Sequence, residues 1–92
     1  MFIRHVKVKP PAGGKATRLW PPEGVQPTGS ATVTVIAEGA LVLLDDPGQA
    51  EGEGLAMAAK AERTLALGQD ELWATVASGE QTAVVIGTLA PF

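Results

Sequence analysis

Residue types that transfer protons or attack as nucleophiles are scarce in this 92-residue chain, which holds a single histidine, His5, and no cysteine. General acid–base and nucleophilic catalysis need a base within hydrogen-bond reach of the group it activates. His5 instead sits in a cation-rich N-terminal stretch, and the only serines, Ser30 and Ser78, lie in turn contexts that account for them through local backbone bonding. Without cysteine, disulfides and thiolate metal sites are excluded. Asp45, Asp46, Glu51 and Glu53 are close enough in sequence to offer oxygens to a hard cation, yet their spacing is not that of an EF-hand, and a solvated acidic loop is the favoured reading. The run Gly13, Gly14, Lys15 lacks both the earlier glycine of a phosphate-binding loop and its hydroxyl, Ala16 standing in that place. The expectation is a protein without catalytic, cofactor-binding or metal-ligating residues: not an enzyme, and without cofactors.

The elements that would position any binding residues read as strands. From Phe2 to Lys9 the pattern alternates, with Phe2, Val6 and Val8 on one face and His5, Lys7 and Lys9 on the other. Pro10, Pro11, Gly13 and Gly14 stop this strand, and a short second one fits residues 15–20 before Pro21 and Pro22. A loop with Gly24, Pro27 and Gly29 follows. Residues 31–37 are dense in β-branched side chains, and residues 40–44 are apolar on both faces, as in a covered central strand. Asp45, Asp46, Pro47 and Gly48 make a turn. Residues 55–67 fit either one helix with Met57, Ala61 and Leu65 on a face or two short strands, and the β-rich context favours strands. Residues 72–76 and 81–89, around Ser78 and Gly79, read as a terminal hairpin. The predicted fold class is all-β: a small antiparallel β-sandwich or barrel of about seven or eight short strands with an extended N-terminal arm. Residues 1–14 form the basic arm or edge strand and residues 15–92 the body.

Charge is divided by position. Residues 1–20 hold Arg4, Lys7, Lys9, Lys15 and Arg18 and no acid, while residues 21–92 hold Lys60 and Arg63 against all ten acids, so a +5 arm precedes a −8 body and together they give the formal −3. The body opposes binding to a polyanion, and no aromatic side chain is interleaved with the basic residues at 4–18 to stack a base, so nucleic acid is not expected as a partner. An acidic protein surface, including the body of a neighbouring copy, suits the arm better; a solvated edge strand guarded by its lysines is the equally weighted alternative. No apolar run is long enough to cross a bilayer, and the start lacks the pattern of a signal peptide, so neither membrane nor export is expected. The absence of cysteine and asparagine suits a heat-selected protein, or simply a GC-rich genome.

The large side chains are the remaining anchors. If Leu72, Ala74 and Val76 face inward, Trp73 faces outward as an interface anchor, with a core position equally weighted; Trp20 is favoured as core. Phe2, Arg4, Lys7, Lys9, Arg18, Trp20 and Trp73 are the interface candidates.

The order of segments resembles that of small tailed-phage virion accessory proteins, the capsid decoration and head or tail β-sandwich proteins. The resemblance spans residues 15–89: the run 15–19 ending in Arg18 and Leu19, the strand 33–37, the apolar strand 41–44, Gly54 with Leu55, the strand 64–67, then Glu71, Leu72, Trp73 and Ala74, and finally Ser78, Gly79 and residues 84–86. Trp73 stands where such chains usually carry tyrosine, the glycine common before the strand at Thr64 is missing, and residues 1–11 have no counterpart, as an added arm would not. The resemblance implies a non-enzymatic structural protein of the virion, made in the host cytoplasm. Most specifically it implies a capsid decoration protein that forms homo-oligomers, with the trimer as the candidate state, and binds a major capsid or other virion protein. A tail or neck component, a carbohydrate-binding module and an accessory subunit of an enzyme complex are the alternatives.

Overall fold

The computed structural model describes residues 2–11, 15–22, 29–46, 48–49, 51–68 and 70–91, excluding the side chains of residues 29, 51, 68 and 89–91. The expected turns at Gly13 and Gly14, at Gly24 and Pro27, and at Pro47 lie outside the described residues. Eight strands form: β1 (Phe2–Val8), β2 (Thr17–Trp20), β3 (Gly29–Ala37), β4 (Leu41–Leu44), β5 (Leu55–Met57), β6 (Glu62–Gly68), β7 (Leu72–Thr75) and β8 (Gln81–Pro91). A 3-10 turn at Glu51–Glu53 precedes β5. The segment at residues 55–67 is therefore two strands.

The strands make two four-stranded sheets in the orders β1-β8-β3-β6 and β2-β7-β4-β5, every neighbouring pair antiparallel. Only β4 and β5 are consecutive strands that pair with each other; every other connection crosses from one sheet to the other. This interleaved order is that of a jelly roll, the two-sheet form of the antiparallel sandwich.

The expected terminal hairpin does not form, because β7 and β8 belong to different sheets. Each strand has its own apolar inner face, Leu72, Ala74 and Val76 about β7 and Ala83 and Val85 on β8, all buried. Placing them on opposite sheets sets those faces against each other across the core, whereas a hairpin would set them side by side. Gly79, at φ +72°, supplies the left-handed turn within the crossing.

The core lies between the sheets and is small-grained: Val8, Val33, Val35, Ala37, Ala83 and Val85 from the first sheet meet Leu19, Trp20, Leu41, Leu43, Leu72 and Ala74 from the second. Strand alternation produces it directly, since β3 buries Ala31, Val33, Val35 and Ala37 and turns Thr32, Thr34 and Ile36 outward. A β-bulge between Arg18 and Trp20 interrupts alternation in β2, so that Leu19 and Trp20, adjacent in sequence, are both buried. Outside the second sheet, Gly54 crosses β4 so closely that any Cβ there would enter the Val42 and Leu44 side chains. The preceding loop is tied by Asp46, whose Oδ1 accepts from the Gly48 N–H at 2.6 Å, and by Gln49, whose Oε1 accepts from the Asp45 N–H at 2.9 Å.

Candidate assembly surfaces

The basic N-terminal stretch is the outer strand of a sheet. β1 pairs with β8 over its whole length, from Phe2 opposite Gly87 to Val8 opposite Gln81. Val8 is fully buried and Phe2 half-buried, which fixes the inner face; His5 and Lys7 point away from the core, and Arg4, on the inner parity, is exposed because β1 lies at the rim. β2 is the outer strand of the opposing sheet on the same side of the sandwich. The Lys9 N–H donates to Thr17 Oγ1 at 3.4 Å, and the Phe2 ring meets the Trp20 indole edge-on at 5.8 Å. Between these rims lies an open concavity of about 340 Å³ lined by Arg4, His5, Val6, Arg18, Leu19 and Pro22. Exposed Lys7, Lys9 and Lys15 extend the positive charge along the same side. Among the described residues the ion pairs are those of Lys7 and Lys9 with Glu80, at 3.7 and 3.9 Å; all three side chains are well exposed, so each pair contributes little stability.

The opposite side of the sandwich has a different character. There β5 and β6 are the outer strands, and a groove of about 230 Å³ opens between them. Its walls are Leu43, Leu44, Leu55, Leu65, Leu67 and Leu72, and Asp45, Asp70 and Glu71 stand at its rim. Leu55 is 39% exposed there, one of two large apolar side chains among the described residues to reach solvent so openly. On β6 the exposed Glu62 is followed by the exposed Arg63.

The interface candidates divide accordingly. Arg4, Lys7, Lys9 and Arg18 are exposed and share the basic side. Phe2 is half-buried over Trp20. Trp20 itself is 1% exposed and belongs to the core, which removes it from the interface candidates: the bulge in β2 turns it inward, and Gly87 on β8 leaves the space its ring fills. Trp73 is half-buried on the outer face of β7, beside Arg18 and Leu44 in register, with its Nε1–H donating to Glu71 Oε1 at 3.4 Å. Sequence reasoning missed the leucine groove, because its residues come from four strands and the loops near them. The nearest signal was the run of leucines at 41–44, 55 and 65–67 interspersed with acids.

Elsewhere the potential chemical groups are dispersed. His5 is exposed on β1, Ser30 on β3, and Ser78 in the β7–β8 crossing. Among the described residues no three His, Asp or Glu side chains gather to hold a metal ion. The arrangement offers charged and apolar contact surfaces. Comparison of the chain with protein-family models, with curated proteins and with solved structures gives no match.

Proposed function

We propose that this chain is a non-enzymatic structural protein that assembles with copies of itself on a virion surface, as a capsid decoration protein that stabilises the particle. One observation carries the reading: the two open sides of the sandwich carry opposite charge excesses, with Arg4, Lys7, Lys9, Lys15 and Arg18 against Glu80 on the β1/β2 side and Asp45, Glu62, Asp70 and Glu71 against Lys60 and Arg63 on the β5/β6 side. Like sides repel and unlike sides attract, so the favoured contact is head-to-tail, which closes into a ring or runs on as a lattice. A small sandwich whose groove exposes leucines gains stability when a neighbour covers them. The jelly-roll order, an architecture used by viral capsid and lectin domains, and the resemblance of residues 15–89 to tailed-phage virion accessory proteins point to the particle as the place of assembly. Carbohydrate binding has weaker support, since sugar faces stack on exposed rings and Trp20 is buried while Phe2 and Trp73 are half-buried.

Light scattering across a concentration series, followed by a search for the chain in purified particles, tests the reading. Oligomers are expected at about 0.1 M salt, smaller ones near 1 M, where the screening length falls from about 10 Å to about 3 Å. A chain that stays monomeric throughout and is absent from particles would overturn the proposal.

A further inference from the structure

We infer that β1 of one copy adds to the free edge of β6 of the next, antiparallel, with Lys7 of the incoming strand opposite Glu62, so that the first sheet continues from copy to copy. The inference rests on the proposed self-association and names the contact. β1 and β6 are the two outer strands of the same sheet, seven residues each, and among the described residues each is paired along one edge only. An unpaired strand edge is a template for another strand. Directions agree as well: three successive antiparallel pairings make β1 and β6 run oppositely, so a copy displaced along the sheet presents β1 antiparallel to β6.

Side-chain parity fixes the register. Residues directly opposite in an antiparallel pair point to the same face. On β1 the outward set is Ile3, His5 and Lys7, and on β6, where Leu65 and Leu67 pack toward the core, it is Glu62, Thr64 and Ala66. Matching Lys7 to Glu62 places His5 opposite Thr64 and Ile3 opposite Ala66. On the inner face it sets Phe2 beside Leu67, Arg4 beside Leu65 and Val6 beside Arg63, with Phe2 and Arg4 at the groove whose rim carries Asp45, Asp70 and Glu71. Sliding the incoming strand by two residues one way puts Lys7 opposite Lys60; sliding it the other way carries Phe2 past the end of β6.

Two-fold alternatives are less favourable. Pairing β1 with its own copy brings two strands bearing Arg4 and Lys7 together. Pairing β6 with its own copy brings two acidic rims together. The head-to-tail junction alone joins opposite charges while covering the leucine groove.

The chain has no cysteine, so introduced pairs report contacts cleanly. The double variant K7C/E62C, and independently I3C/A66C, are oxidised mildly and run on non-reducing gels after circular dichroism confirms the fold. Directly opposed Cβ atoms stand about 5 Å apart, within disulfide reach, whereas the off-register control K7C/A66C separates them by about 14 Å. The expected result is a ladder of covalent multimers from both matched pairs, none from the control, and a product ending at the dimer when the single variants K7C and E62C are mixed. Equal linking of the control, or efficient dimers from K7C or E62C alone, overturns the register or the polarity of the contact. If light scattering shows oligomers of folded protein that neither matched pair links, this junction is wrong and self-association stands. Monomers at every concentration dispose of both.

Discussion

The benzo ring of Trp20, on β2, rests against the backbone of Gly87 on β8, at the point where any β8 side chain would enter the indole. Gly87 sits between Phe2 on β1 and Val33 on β3 in register, so its missing side chain is what lets the tryptophan reach across from the opposite sheet. Gly87→Ala overpacks this contact and is expected to cost about 1–3 kcal/mol, more than an alanine in a strand returns through lower chain entropy. Urea denaturation checks it; an unchanged midpoint means the ring does not occupy this space.

Trp20 itself is the largest fully buried side chain and meets Phe2 edge-on at 5.8 Å, yet its Nε1–H is buried with no partner among the described residues. Trp20→Ala opens a cavity and is expected to cost about 3–5 kcal/mol. Trp20→Phe keeps much of the apolar contact and removes the orphan donor, so its cost should be clearly smaller. Equal losses from the two variants would mean that ring volume does not govern the site. Because Phe2 leans on this ring, Trp20→Ala should also increase amide exchange along β1, measurable by hydrogen–deuterium exchange.

Thr75 on β7 is 1% exposed, and its Oγ1 likewise has no hydrogen-bond partner among the described residues. A buried hydroxyl without a partner carries its full desolvation cost, on the order of 1–3 kcal/mol, while valine has nearly the same shape. Thr75→Val is therefore expected to stabilise the fold by about 1 kcal/mol, a rise in melting temperature of several degrees for a domain of this size. A fall in melting temperature would show that the hydroxyl is bonded after all.

Much of the strand content was legible because alternation, β-branching and apolar runs are local properties: β3 and β4 read directly from residues 31–37 and 40–44. What alternation does not state is which face is inner. On β8 the larger Val84 and Ile86 point outward and the smaller Ala83 inward, the reverse of a hydrophobicity ranking, because Ala83 faces a filled core and Ile86 pairs with Ile3 at the surface. Pairing was less legible still. A glycine turn at residue 79 is compatible with a hairpin or with a crossing, and the choice depends on burying two inner faces at once, a long-range condition no short window contains. The candidate surfaces divide in the same way. The +5 segment was visible as a run along the chain, whereas the leucine groove exists only after β4, β5, β6 and β7 are brought together.

The crossing from β5 to β6 turns on Lys60, at φ +67° the one non-glycine residue with positive φ among those described. The turn is held at both ends: the Lys60 N–H donates to the Ala37 carbonyl at 2.8 Å, the Ala61 N–H to the Ala58 carbonyl at 3.1 Å, and the Ala37 N–H to the Ala61 carbonyl at 3.0 Å. These bonds hold the chain in a left-handed conformation that costs an L-residue with a Cβ roughly 1–2 kcal/mol. Glycine relieves that strain but loses more freedom on folding, by about 0.5–1 kcal/mol, so Lys60→Gly is expected to stabilise the fold by about 0.5 kcal/mol. Lys60→Val should instead destabilise it by about 1 kcal/mol or more, since β-branching worsens the left-handed clash. Lys60 is exposed, so neither substitution disturbs packing, and the ordering Gly above Lys above Val in urea midpoint isolates the backbone term. If glycine proves the least stable of the three, the turn does not hold its left-handed geometry in solution.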